Sequence, residues 1–473
     1  MRMEAPEAQN RPSFIKVRKI ARALPTSVQL RRQVSWILIA FLILVAITGG
    51  GSRGDIASLP FLRFLSACLV AFSILLIRRD ELARIKVPLS LLGAITAVCL
   101  LQLVPLPQTV WTELPERGAI ARIDEVLGLD AWRPISLSPA ATINALASLT
   151  APLAALLLFG MVRDRSVVLL SLVGIGIVSG LLGVLQLFSD PRSGLFLYEI
   201  TNNGSAVGLF ANRNHHAVFL SCCVFIAIFL MHHGDPQRFP WMRRSMVAAA
   251  SFLGLAVITN ASRAGLIALI LALALGAFSA RSVRRHDRKE KSAIGKLTPV
   301  ALAAAGGLVT VLFVVAERSP ALSRLINNNA MEDLRAKLWP ILLSMLDDFQ
   351  PWGAGMGTFE YAYRMREPVE LLGPAYVNEA HNDWLQFPIE AGAAGLAIMV
   401  AGALFMLVKS ISVVRRPAEN ANAVAGLGLL CILGAASVVD YPLRVPSVMV
   451  LAVIALAMLA TTAVKEKLTE TPV

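Results

Sequence analysis

The chain has 473 residues, 56% of them hydrophobic and only 16% charged, with a mean hydropathy of +0.66. This balance excludes a soluble globular protein. The net charge of +13 does not point to nucleic acid, because the basic residues cluster between apolar runs without interleaved aromatics; such charges set topology and meet anionic lipid.

About thirty polar, basic residues precede the first apolar run, and no Ala-x-Ala-like site follows it. An uncleaved first span is therefore expected rather than a signal peptide. A bilayer core of about 30 Å asks for about 17 to 25 apolar residues per helix. Twelve runs meet that description, at roughly 34–51, 56–77, 85–104, 140–162, 166–188, 214–232, 243–260, 262–280, 297–316, 384–408, 421–440 and 445–463. Pro152 interrupts the fourth. All five cysteines fall inside these runs without metal-ligand spacing, which suits small packing residues.

Lysine and arginine placement orients the spans. With the N-terminus inside, 29 of the 44 basic residues lie in inner segments, and six of the rest lie in one long outer loop, 317–383. Long loops carry little weight in the positive-inside rule, so both termini are expected inside. A loop of this length should contain structure of its own, and Leu334 to Leu346 reads as an amphipathic helix bent by Pro340. A second long outer segment, 105–139, carries Trp111 and Trp132, residues suited to an interfacial belt.

Three polar stretches fall on the outer side: Asn212-Arg213-Asn214-His215-His216, Asn260-Ala261-Ser262-Arg263-Ala264-Gly265, and the block from Asn378 to Gly392. The guanidinium of Arg213 or Arg263 could bind diphosphate oxygens two at a time; it could equally cap a helix end or snorkel to the interface. His381 can accept a proton near neutral pH, or serve as an interfacial histidine. Asn382, Gln386 and Glu390 recur every four residues and form a polar stripe on one helix. A carboxylate such as Glu390 on an apolar span is a functional candidate. His381 and Glu390 lie half a turn out of phase and are not paired as acid and base. The glycines of Trp352–Phe359 read as a turn rather than a phosphate cradle. Asp440, Tyr441 and Arg444 frame a tight outer turn, for which a salt bridge is the simplest reading.

The His381-Asn382 pair with Gly392 eleven positions after His381 resembles the His-x10-Gly signature of the O-antigen ligase superfamily. Arg335 with Leu338-Trp339, Pro351-Trp352-Gly353-Ala354-Gly355, Asn212-Arg213-Asn214 and Ser262-Arg263-Ala264-Gly265 are similar to its other recurring stretches, best over roughly 170–410. The resemblance implies an all-α integral membrane protein of about twelve transmembrane helices, with one large periplasmic loop (about 317–383) containing short helices. Its segments would be a cytoplasmic basic N-terminus (1–33), N-terminal spans (34–188), a catalytic region (189–410) and C-terminal spans (411–473).

It further implies a bacterial inner-membrane glycosyltransferase with both termini cytoplasmic and the active site facing the periplasm. The donor would be an undecaprenyl-diphosphate-linked glycan and the acceptor lipid A-core or a growing polysaccharide, with membrane lipids as surroundings and no metal, other cofactor or nucleic acid. His381 would be the catalytic residue, and Arg213, Arg263, Arg335, Asn382 and Glu390 would bind substrate. Arg335 precedes Leu338 by three positions, a departure from the family's Arg-x3-Leu. Protein glycosylation, small-anion transport and an inactive scaffold are the other readings; the gathering of polar groups at the outer rim rather than within spans favours catalysis over transport.

Overall fold

A computed structural model describes residues 27–234, 240–286, 329–372, 377–417 and 419–461. The expected ninth span, 297–316, and the first part of the long loop lie outside the described residues. In chain order the helices are α1 (Ser27–Thr48), α2 (Leu59–Leu76), α3 (Arg79–Arg84), α4 (Lys86–Gln102), α5 (Gln108–Trp111), α6 (Gly118–Leu127), α7 (Pro139–Ser148), α8 (Thr150–Met161), α9 (Arg165–Leu187), α10 (Arg213–His233), α11 (Met242–Thr259), α12 (Arg263–His286), α13 (Asn329–Asp348), α14 (Phe359–Arg364), α15 (Asp383–Arg415), α16 (Ala421–Ala436) and α17 (Pro446–Ala460). Among the described residues the only strands are two-residue β1 (Pro105–Leu106) and β2 (Arg133–Pro134), which pair antiparallel.

Among the described residues seven helical stretches are long and apolar enough to cross a membrane, and four more are apolar but shorter: Gln33–Thr48, Lys86–Gln102, α16 and α17. Eleven of the twelve expected runs are thus helical, while the number of crossings stands at seven by length. The fourth run is two helices, α7 and α8, joined at Leu149, and Pro152 sits in the first turn of α8. There its missing N–H leaves no hydrogen bond unmade, so it starts a helix instead of kinking one.

Helix α10 is the hub: 83% of its apolar window is buried, against α9, α11, α12 and α16. Small residues let backbones approach, as membrane helices require. A Cβ at Gly265 would lie 2.3 Å from the Cβ of Ala217, one at Gly176 would lie 2.8 Å from Cys223 Sγ, and one at Gly428 would lie 2.2 Å from the Phe225 ring. Cys222 and Cys223 are buried packing residues, as their setting in an apolar run predicts.

Hydrogen bonds tie the loops of one face together. Ser447 N–H donates to Gly49 O (2.9 Å), Ala211 N–H to Gly50 O (3.0 Å), Asp383 N–H to Ser437 O (3.0 Å) and the Gln102 amide to Glu390 O (2.8 Å). The ends of α1, α4, α10, α15, α16 and α17 therefore meet on a common loop face. Segment 105–139 folds there too, with Trp111 buried and its indole N–H donating to Pro134 O at 2.8 Å. Trp111 is thus a core residue of this loop, whereas Trp132 stays 66% exposed.

Candidate active site

Helix α13 runs through Pro340 and buries Leu338, Leu342 and Met345, spaced by four and three, with Phe349 just beyond its end. With Phe359, Tyr363 and Ile389 they form a small core separate from that of the spans. The expected amphipathic helix is present; the Arg335 side chain lies outside the described residues.

That small core supports a break in α15. Gly392 has φ 64° and ψ −152°, a conformation that essentially only glycine adopts. The turn Pro351–Gly357 fills the break: Ala393 N–H donates to Pro351 O (2.8 Å), Ala354 N–H to Ile389 O (2.9 Å) and Gly355 N–H to Glu390 O (3.0 Å). Gly353, Gly355 and Gly357 all take positive φ. The glycine-rich stretch is a structural turn, and Gly392 is its partner. Segment 105–139 and α7 close it from the other side: the buried Arg117 donates to Gly353 O (3.1 Å) and Thr142 Oγ1, on α7, to Met356 O (2.8 Å).

Ahead of the break, Asn382 caps α15, accepting from Leu385 N–H (3.0 Å) and donating to Val438 O (2.9 Å). Its side chain is thereby committed to the fold. His381, just before it, is held at φ 50°, uncommon for a residue with a side chain. Its Nδ1 lies 3.2 Å from Asp440 Oδ1, and the side chain is 19% exposed. Burial opposes ionisation of Asp440, but His215 and His381 beside it hold its carboxyl well below the usual carboxylate range. A carboxylate only accepts, so Nδ1 of His381 carries a proton, and in the neutral ring the lone pair is on Nε2.

Tyr441 packs edge-on against both His381 and His215, each at 4.9 Å between ring centroids. The side chains of Asn212 and Asn378 lie near its hydroxyl, and burial, with Asp440 and Glu379 nearby, raises its pKa so that it stays neutral. Asn212 caps α10 through Asn214 N–H (2.8 Å), which puts Arg213 in the first turn. The Asn214 side chain accepts from Ser262 Oγ (2.8 Å), and Arg263 follows as the first residue of α12. Ala261, at φ 54°, makes the tight turn before it. Both arginines are half-buried. Hydrogen bonds and ring contacts thus join the backbone anchors of Arg213 and Arg263 to His381. Each arginine also stands at a helix N-terminus, where a cation alone is disfavoured by about 0.3–1 kcal/mol and an anion is favoured.

Glu390 belongs to an adjoining ionic cluster. It is fully buried, with Oε2 2.7 Å from Arg444 Nη1 and Oε1 accepting from Phe359 N–H and the Gln386 amide, both at 3.2 Å. The same amide reaches Glu379. Asp383 Oδ1 lies 3.6 Å from Arg444 Nε. Burial pushes the Glu379 carboxyl up to about 7, with Arg444 opposing and Glu390 and Asp383 adding to the rise. The expected stripe is real between Gln386 and Glu390, while Asn382 turns away to Val438. His381 pairs with Asp440 rather than with Glu390.

The sequence reading undervalued Asp440, Tyr441, Arg444 and His215. The signal was present, since charged residues at the tight turn between two apolar runs are costly unless used. Two separate networks replace the single local salt bridge expected there: Asp440 faces histidines and Arg444 faces acids.

Residues 248–400 match the family model described as O-antigen ligase, which bears out the superfamily resemblance. The matched stretch includes Arg263, His381, Glu390 and Gly392, and stops short of Asp440 and Arg444. The chain matches no curated protein.

Proposed function

We propose that this membrane protein is a glycosyltransferase of the O-antigen ligase or polysaccharide polymerase type, moving a glycan from an undecaprenyl-diphosphate carrier to an acceptor hydroxyl at the periplasmic face. The observation that carries this reading is the His381–Asp440 pair, tied through the Tyr441 and His215 rings to the helix start that bears Arg213. His381 Nε2 takes the proton of the acceptor hydroxyl. The acceptor oxygen attacks the anomeric carbon, the bond from that carbon to the diphosphate oxygen breaks, and the diphosphate leaves with the electron pair. Arg213 and Arg263 hold the charge that collects on it. Because diphosphate is already a good leaving group, positioning and charge stabilisation supply most of the acceleration, with about 10²–10⁴-fold from the base.

Asn382 and Glu390 serve this site by shaping it, since protein partners already occupy their polar atoms. Glu390, the carboxylate on an apolar span, is paired with Arg444 beside the break in α15, which favours transfer over transport. Arg335 remains a candidate for substrate binding on the loop helix.

The test is the glycan profile of a deletion strain, with lipopolysaccharide and secreted polysaccharide run side by side. Loss of long-chain lipopolysaccharide with lipid-linked glycan accumulating identifies a ligase. Missing exopolysaccharide, or lipopolysaccharide capped by one repeat unit, identifies a polymerase. If both profiles are unchanged and glycoproteins are intact, the proposed function fails.

A further inference from the structure

We propose that His215 is a positioning residue for the transfer reaction, sharing the Asp440 carboxylate with His381 and fixing the rotamer from which Asp440 orients the base. This rests on the reading of His381 as the proton acceptor.

Two imidazoles converge on one oxygen. Asp440 Oδ1 lies 3.2 Å from His381 Nδ1 and 3.8 Å from His215 Nε2. The His381 contact is a hydrogen bond; the His215 contact becomes one after a shift of about 1 Å. The two rings differ in surroundings. His381 is partly open, whereas the His215 side chain is 2% exposed and, among the described residues, neither of its nitrogens has a hydrogen-bond partner. A buried polar ring without partners is costly, and an apolar side chain would pack edge-on against Tyr441 without that cost. The polar ring makes sense only with respect to Asp440.

Asp440 itself is loosely held. Its Oδ2 is buried and without a hydrogen-bond partner among the described residues, and Oδ1 accepts from Tyr441 N–H at 3.0 Å. Besides that one backbone donor, the histidines determine which way the carboxylate points. The groups facing the three are Tyr441 from the same turn, Asn212 from the start of α10 and Asn378 from the segment before α15, with Glu379 felt by Tyr441 through space. None of them donates a side-chain hydrogen bond to Asp440. When His381 becomes an imidazolium by taking the acceptor's proton, Oδ1 must stay aligned with Nδ1. His215, donating from Nε2, is the group placed to keep it so.

The experiment compares purified wild-type protein with H215F and H215Q, measuring transfer from a polyprenyl-diphosphate-linked glycan. H215F keeps the ring against Tyr441 without the donor, and the Gln Nε2 restores a donor toward the carboxylate. Expected is a drop in kcat for H215F of about tenfold to a hundredfold, with KM for the donor unchanged and most of the rate recovered in H215Q. Wild-type kcat in H215F, or equal losses in H215F and H215Q, overturns the proposal. Loss of monodisperse protein in H215F assigns His215 to folding and overturns it too. No transfer by the wild type overturns the proposed function and this inference with it, whereas wild-type transfer insensitive to His215 overturns the inference alone.

Discussion

His381 and Asp440 stand 59 residues apart in the chain, yet Nδ1 and Oδ1 lie 3.2 Å apart. The carboxylate fixes both the tautomer and the direction of the ring, so its removal should cost rate rather than binding. Asp440→Asn should lower kcat at least about tenfold with little change in donor KM, and His381→Ala should lower it about 10²–10⁴-fold. Steady-state kinetics on both purified variants checks this; an Asp440→Asn enzyme with normal kcat would remove Asp440 from the mechanism.

Arg213 and Arg263 open α10 and α12, joined by the bond between Asn214 and Ser262. If each grips diphosphate oxygens as a fork, lysine cannot replace it, because an ammonium is a point charge. Arg213→Lys and Arg263→Lys should each raise donor KM about tenfold or more, the effect of losing one charge-assisted bond. Equal KM values for wild type and both lysine variants would return these residues to a helix-end role.

Much of this was legible in the sequence because apolar length is a strong signal: every expected span within the described residues is helical. The three polar stretches, read separately, meet in the structure. Their connection was not legible. The bond between Asn214 and Ser262 and the contact of His381 with Tyr441 join residues 48 and 60 positions apart, and no periodicity encodes such distances. The role of Gly392 was hidden for a similar reason, since its backbone angles answer to the Pro351–Gly357 turn. Trp111 misled because an aromatic beside a span suits a membrane belt as well as a loop core.

Gly392 should tolerate no side chain. A Cβ there would lie 2.2 Å from Pro351 O and 2.7 Å from Gly353 N, at a φ/ψ closed to other residues. Gly392→Ala should cost at least about 1–3 kcal/mol and lower both thermal stability and activity. Gly402→Ala, in the same helix with nothing within 4 Å of the new Cβ, is the matched control. Thermal unfolding in detergent reads the difference, and equal midpoints would show that the break at Gly392 is not required.

Arg444 faces three carboxylates, Glu379, Asp383 and Glu390, and one cation cannot neutralise all of them. Glu379 takes the consequence: burial first, then Glu390 and Asp383, push its carboxyl from 4.5 up to about 7. The folded protein therefore binds this proton more tightly than the unfolded chain does. By linkage, stability from this group is fully present below about pH 4.5 and is lost as pH rises toward 7. Glu379→Gln stays neutral throughout, so the melting temperature of wild type should fall relative to this variant between those pH values. Parallel curves would mean that Glu379 carries no extra proton. Arg444→Met should act in the opposite sense by leaving the buried Glu390 without its cation, at a cost of about 3–5 kcal/mol. Adding Glu390→Gln to Arg444→Met should recover part of that loss, because the penalty lies in the unpaired charge rather than in the missing bond.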